Sequence, residues 1–344
     1  MTARAPAAGI TGRDLTTLPK VELHVHLEGS VSAAIAADLA QRHGEDPAVV
    51  LGLEDGDYPR RYRDFQHFVD TFLATSRQLR TPDDLAAVAA AFARSQAAQG
   101  VRYTEVTVTA LTLVNRGMDP AEMWAALRDG LGDAADTRIG IIVDSVRELG
   151  PEAARRTVSL VEDADAPIVG LGLTGVEGSV PEGDFVHLRQ AADRLGLGLS
   201  VHAGETGTAD NVRAAVDDLG ADRIGHGIAA VDDPELLARL ARDRVPFEVC
   251  PSSNVSLGVV ADLEEHPLPT LWAAGAAVTI GSDDPPFFST TLVDELAHAT
   301  RLLGLTRREL AEMQRRAARA AFAPREVRDD LLARIDAWDA GPGV

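Results

Sequence analysis

The chain has 344 residues, 45% of them hydrophobic and 25% charged, which suits a folded globular protein with enough material for one large domain or two ordinary ones. Its 33 Lys and Arg against 53 Asp and Glu leave a formal charge of −20, which argues against a nucleic-acid or anionic-membrane partner but not against a small ligand held in one pocket. A single cysteine, Cys250, excludes an intramolecular disulfide and every zinc site built on two or more thiolates. No apolar run reaches the length of a membrane span, and the N-terminal residues lack the continuous apolar core of a secretory signal, so a cytoplasmic protein is expected.

In chain order, a flexible N-terminus is expected over about residues 1–17, followed by a first strand at Val21–His26. Residues 51–79 then read as an insertion rich in aromatics: Tyr58, Tyr62, Phe65, Phe68 and Phe72. The spacing of its three phenylalanines is that of a buried helical stripe; the sharper alternative is a lid over a barrel mouth. Thr81-Pro82-Asp83-Asp84 opens a helix with a cap residue, a first-turn proline and acidic groups at the positive end of the helix dipole, and Asp119-Pro120 and Asp233-Pro234 repeat the device. Seven further strands are expected at Val101–Thr109, Ile139–Asp144, Ile168–Leu173, Leu199–His202, Arg223–His226, Pro246–Cys250 and Ala277–Ser282, apolar enough to be buried on both faces. Gly100, Gly196 and Gly275 stand where helices should stop. Thr291–Leu303, Arg307–Phe322 and Pro324–Trp338 close the chain as helices. Strands alternating with helices in one domain, residues 1–344, predict the α/β class: a (β/α)8 TIM-type barrel with extra helices after strand one and at the C-terminus. A doubly wound open sheet competes on pattern alone, but no Gly-x-Gly-x-x-Gly follows the first strand.

On such a barrel the polar residues gather at one end. His24 and His26, two apart, point to the same side of strand one. His202 ends the fifth strand, His226 the sixth, and Asp283 with Asp284 the eighth, so all six reach the C-terminal mouth where barrel enzymes build active sites. Singly, each histidine reads as a hydrogen-bonded structural residue; their joint placement points to chemistry. Three imidazoles and one carboxylate with an open water position make a catalytic site for zinc or another divalent metal. The candidate ligands of one Zn²⁺ per chain are His24, His26, His202 and one of Asp283 or Asp284. Glu205, three residues past His202, can protonate a substrate ring nitrogen if burial keeps it neutral; its bland role is to cap the next helix or pair with an arginine.

Five stretches then carry a resemblance: Pro-Lys-Val-Glu-Leu-His-Val-His-Leu-Glu-Gly (19–29), Val-His-Ala-Gly-Glu (201–205), Arg-Ile-Gly-His-Gly (223–227), Glu-Val-Cys-Pro-Ser-Ser-Asn (248–254) and Gly-Ser-Asp-Asp-Pro (281–285). Together they resemble the adenosine deaminase family of the amidohydrolase superfamily. That resemblance implies a mononuclear zinc barrel that hydrolyses the 6-amino group of a purine. It implies His24, His26, His202 and Asp283 as ligands, Glu205 as the acid on purine N1, and His226 with Asp284 as the groups that orient and deprotonate the attacking water. It also assigns substrate contacts to His26, Glu28, Asp284 and the backbone amide of Gly175, in Gly-Leu-Thr-Gly-Val-Glu (172–177). The only lysine, Lys20, lies before strand one, so the two-metal design with a modified barrel lysine is absent.

The departures bear on substrate. Adenosine enzymes carry aspartate where this chain has Glu28, and Gly-Asp-Glu where it has Gly175-Val176-Glu177. Ser282-Asp283-Asp284-Pro285-Pro286-Phe287 looks like branches acting on adenine or modified nucleosides. An adenosine-like nucleoside is the expected small-molecule partner; adenine, or a 5′-modified nucleoside such as aminodeoxyfutalosine, is the alternative. A purine-binding protein without activity is disfavoured by the retained proton-transfer residues. Arg60, Arg61 and Arg63 read as solvated surface, although one turned inward would suit a substrate carboxylate or phosphate. Oligomeric state is left open, a homo-oligomer included.

Overall fold

Residues 10–134 and 136–341 are described by a computed structural model. Among them, eight parallel strands form one sheet in sequence order: β1 (Lys20–His26), β2 (Val101–Val108), β3 (Arg138–Val146), β4 (Ile168–Thr174), β5 (Gly198–Ala203), β6 (Arg223–His226), β7 (Pro246–Val249) and β8 (Ala277–Ile280). Helices connect them, and the first and last strands meet, giving the expected (β/α)8 barrel. The seam is closed just past β8 by a bridge between Val25 and Asp283. There the Asp283 amide donates to the His24 carbonyl at 3.1 Å, and the His26 amide to the Asp283 carbonyl at 2.9 Å. Barrel closure therefore runs through residues singled out for chemistry.

The helix starts follow the caps. Thr81 forms a capping box with Asp84 ahead of Pro82–Ala98, and Asp119 and Asp233 accept backbone N–H bonds ahead of Pro120–Leu131 and Pro234–Asp243. Of the N-terminal stretch expected to be flexible, residues 1–9 lie outside the described residues. Gly12–Thr17 form a helix capped by Thr11, whose Asp14 pairs with Arg307. Lys20 opens β1 instead of preceding it, fully buried at the end of the barrel far from the histidines, with Nζ donating to the Leu18 carbonyl at 3.1 Å.

The helix expected over Arg307–Phe322 stops at Ala320. Phe322 leaves it to plug the barrel floor, where side chains on Gly170 and Gly198 would collide with its ring. Its amide donates to Glu105 at 2.6 Å, and the Arg223 guanidinium stacks on its ring at 3.6 Å. Arg223 is the charge hub of the interior. Its Nη2 meets Glu105 Oε2 and its Nε meets Glu248 Oε1, both at 2.5 Å, with all three side chains at most 1% exposed.

Between β1 and β2, Asp64 caps a helix over Phe65–Ser76. Phe68 is buried against Tyr62, Phe287 and Phe288, while Phe65 and Phe72 are half-buried, so the stripe packs on the loop that follows β8.

Replacing Arg223 by Met would leave two buried carboxylates without their cation, a loss of about 3–5 kcal/mol for one broken buried pair. Chemical denaturation of Arg223→Met is expected to show a loss of that order; a midpoint equal to the parent's would contradict the hub role.

Candidate active site

At the C-terminal mouth the imidazoles of His24, His26, His202 and His226 cluster, with ring centroids 4.6 Å apart for His24–His202, 4.8 Å for His24–His226 and 5.3 Å for His26–His202. Asp283 lies among them. Its Oδ1 is 3.5 Å from His24 Nε2 and 3.3 Å from His26 Nε2, and its Oδ2 is 3.9 Å from His226 Nε2. One donor atom each from His24, His202, His226 and Asp283 falls within a 4.8 Å group, tight enough to hold a metal ion. The structure therefore gathers five candidate donors where the sequence reading selected four, adding His226 to His24, His26, His202 and Asp283.

The donor set fits a metal chemically. His24 Nδ1 is hydrogen-bonded to Glu248 Oε2 at 2.8 Å, leaving its Nε2 buried and without a hydrogen-bond partner, aimed at the cluster. A carboxylate on the outer nitrogen is the usual way to orient a ligand imidazole. Ser200 Oγ donates to the same Glu248 oxygen at 3.0 Å. Burial alone would raise the Asp283 carboxyl, but the imidazoles of His24 and His26 close to its Oδ1 hold it well below the usual carboxylate range, which favours the anion.

Backbone geometry is strained where the site is made. His226 and Asp283 both have left-handed backbones, with φ of 59° and 62°, at positions where non-glycine residues are rare. Both turn their side chains inward at strand ends. Gly29 supplies the space for Asp284, since a Cβ there would lie 1.6 Å from Asp284 Oδ1.

Glu205 and Asp284 complete the polar set. Glu205 Oε2 is 3.6 Å from His226 Nε2, while Glu205 Oε1 is buried with no hydrogen-bond partner. Burial, with the charges of Asp283 and Glu177, pushes the Glu205 carboxyl well above the ordinary range, which favours its protonated form. Asp284 is pushed up to about 8 by burial and by Asp283. His226 is pulled down to about 3, chiefly by burial, and so is a neutral imidazole with a free lone pair.

These groups open into a cavity lined by His26, His202, Glu205, His226, Asp283 and Asp284. Thr109, Asp144, Glu148, Thr174 and Gly175 form its other polar wall, and Phe65, Phe68, Val69, Phe72 and Leu73 roof it with Val146, Val176 and Leu257. Gly175 has a φ of 92°, and a Cβ there would lie 2.1 Å from Glu148 Oε2, so glycine is required for the backbone to reach the cavity. Glu28 stands behind the wall: it is buried, does not line the cavity, and accepts from the Thr109 amide at 3.0 Å. Burial and the Asp144 charge push it up to about 7. Arg60, Arg61 and Arg63 are exposed and line none of it; Arg61 reaches the Ala261 carbonyl.

Sequence reasoning did not single out Asp144 or Glu248. Asp144 accepts from Thr174 Oγ1 at 2.6 Å and keeps its Oδ1 buried and unpartnered at the cavity wall. Its signal was an acidic residue inside an otherwise apolar strand, Ile-Ile-Val-Asp-Ser-Val. Glu248, on β7, carried the same signal.

The chain matches the protein-family description "Adenosine deaminase" over residues 19–338. It is 39% identical to an aminodeoxyfutalosine deaminase of Streptomyces avermitilis, covering 98% of this chain and 97% of that protein. Its fold superposes on the crystal structure of an adenine deaminase from Arthrobacter aurescens with a TM-score of 0.84, at 29% identity, covering 94% of this chain and 100% of the other. A Burkholderia ambifaria amidohydrolase with bound Zn superposes with a TM-score of 0.83 at 26% identity, covering 98% and 97%.

If the cluster holds a metal ion, chelation should lower the melting temperature and metal should restore it, the metal adding about 2.7 kcal/mol of stability when free metal is a hundredfold above its Kd. His202→Ala should erase the difference. A parent protein that melts identically with and without chelator would contradict a bound metal.

Proposed function

The chain belongs to the adenosine deaminase family of hydrolytic deaminases, and from that premise we propose that it removes the 6-amino group of an adenine-type nucleoside, yielding an inosine-type product and ammonia. The observation that carries this reading is the convergence on one cavity of a His/Asp cluster able to hold a metal, a Glu205 carboxyl biased toward its protonated form and a neutral His226.

His24, His26, His202 and Asp283 are the proposed ligands of one Zn²⁺, a choice supported by the approach of both His24 Nε2 and His26 Nε2 to Asp283 Oδ1. Zinc bound there supplies Lewis-acid activation of a water molecule. Glu205 Oε1, buried and without a protein partner, donates its proton to purine N1, which draws electron density from C6. His226 takes a proton from the attacking water at its free lone pair, and its imidazolium then stabilises the charge developing on the oxygen that adds to C6. Asp284, packed against Gly29 where any side chain would displace it, orients that water. The Gly175 amide is the proposed donor to N3. Ammonia leaves once the 6-amino nitrogen has taken the proton held on His226, and the proton lost from the C6 hydroxyl as the carbonyl forms restores the Glu205 carboxyl.

A nucleoside is favoured over free adenine by Asp144, whose unpartnered Oδ1 on the cavity wall suits a sugar hydroxyl. Glu28, spent on the Thr109 amide, is better suited to bracing that wall than to touching the sugar. A second reading, a nucleoside enlarged at the 5′ position as in aminodeoxyfutalosine, is favoured by the apolar roof of Phe65, Phe68 and Phe72, the segment proposed as a lid. Among the described residues no Lys or Arg lines the cavity and five Asp or Glu side chains do, so a 5′-phosphate is disfavoured.

Glu205→Gln should lower kcat roughly 10²–10⁴-fold with metal content unchanged; loss of less than tenfold in a deamination assay would remove it as the acid. Asp144→Ala should lower kcat/KM for adenosine by about tenfold or more while leaving adenine within about twofold, as one lost hydrogen bond predicts. Equal losses on both compounds would contradict sugar recognition. AMP should be turned over at least about a hundredfold less efficiently than adenosine, an exclusion of about 2.7 kcal/mol; comparable kcat/KM for the two would contradict the charge argument.

A further inference from the structure

Glu177 has no task in the chemistry above. It follows Gly175 by two residues in the loop after β4, yet its carboxylate is committed to a different loop. Oε1 accepts from the backbone N–H of Glu205 at 2.8 Å and of Thr206 at 3.0 Å, and Oε2 accepts from the N–H of Gly204. Three consecutive amides can converge on one carboxylate because Gly204, with a φ of 74°, turns the chain leaving β5 into an anion-cradling nest. Gly207 closes the cradle, since a Cβ there would lie 2.5 Å from Glu177 Oε2. Fully buried Arg147 donates Nη2 to the His202 carbonyl at 2.5 Å. Residues 202–206 are thus held by a donor at one end and an acceptor at the other.

Glu205 has little else to fix it. Its side chain approaches His226 only at 3.6 Å, and its Oε1 has no protein partner. The position of its carboxyl therefore follows its own backbone, and that backbone is pinned by Glu177. Glu177 also belongs to the loop whose Gly175 faces the same cavity. We infer that Glu177 is a positioning residue for deamination: by gripping the Gly204, Glu205 and Thr206 amides it sets the Glu205 carboxyl at a fixed distance from the Gly175 backbone across the ring-binding cavity. The inference rests on the proposed deaminase activity and adds a residue to it. A donor misplaced by about 1 Å costs on the order of 10²-fold in rate, whereas ground-state binding is held by the rest of the cavity.

The test is a steady-state comparison on metal-loaded protein, using adenosine and aminodeoxyfutalosine. Glu177→Ala is expected to lower kcat on the order of a hundredfold with KM within about threefold and metal content unchanged. Glu177→Gln, which keeps the shape and one acceptor oxygen, should recover about tenfold of that loss. In a Glu205→Gln background, Glu177→Ala should change kcat by less than about twofold, because the group it positions has already been removed. A staple serving stability alone would lower the melting temperature and leave this non-additivity absent. Should Glu177→Ala fail to fold, Glu177→Gln carries the test, with a kcat loss that disappears in the Glu205→Gln background. Folded, metal-loaded Glu177 variants within about twofold of the parent kcat, or an undiminished loss in the Glu205→Gln background, would overturn the inference alone. A parent protein that deaminates neither compound would overturn it together with the activity on which it rests.

Discussion

Charge buried inside a barrel has to be answered by opposite charge or by hydrogen bonds, and that constraint organises this molecule from floor to mouth. Arg223 sits between Glu105 and Glu248, and Glu248 passes the arrangement upward by accepting from His24 Nδ1. One oxygen of Glu248 faces the guanidinium and the other faces the imidazole, so the ring that enters the site is oriented by a cation beneath it. A parallel device works at the seam, where Glu22 accepts from both the amide and the hydroxyl of Ser282, at 2.9 Å and 2.6 Å, next to Asp283. Gln96 holds the second Glu22 oxygen at 2.6 Å from outside the barrel. The residues gathered at the candidate site are therefore the upper ends of polar chains rooted in the interior.

The same logic accounts for the strain. His226 and Asp283 occupy left-handed backbone conformations, which only a surrounding structure that over-determines them can sustain. Asp283 is tied to β1 through two backbone hydrogen bonds and to His24 and His26 through its carboxylate. Its placement is thus coupled to closing the barrel, so the fold and the site are completed by the same contacts.

Much of this was legible in the sequence, and the reasons are local. Continuous apolar runs mark strands buried on both faces, and the observed strands begin and end within three residues of those read from the pattern. Histidines at strand ends are conspicuous because apolar strands have no other use for them. Phe322 was the miss at the floor: helical periodicity carries through it, while the structure ends the helix at Ala320 so that the ring can fill space left by Gly170 and Gly198. Asp144, Glu177 and Glu248 were not read as site residues because their meaning lies in partners 27 to 224 positions away, which no local pattern encodes. The phenylalanine stripe shows the limit from the other side. Periodicity identified a half-buried helix, but only the three-dimensional arrangement sets its rings both on Phe287 and Phe288 and over the cavity.

The central claim is that water replaces the 6-amino group of an adenine-type compound at this barrel mouth. Incubating metal-loaded protein with adenosine or aminodeoxyfutalosine in ¹⁸O-labelled water, and following ammonia release with mass spectrometry of the purine, tests it most directly. The account predicts one ammonia released for each labelled oxygen incorporated at C6, with both absent in Glu205→Gln over the same interval. Unchanged purine and no ammonia from either compound, or from free adenine, would contradict it.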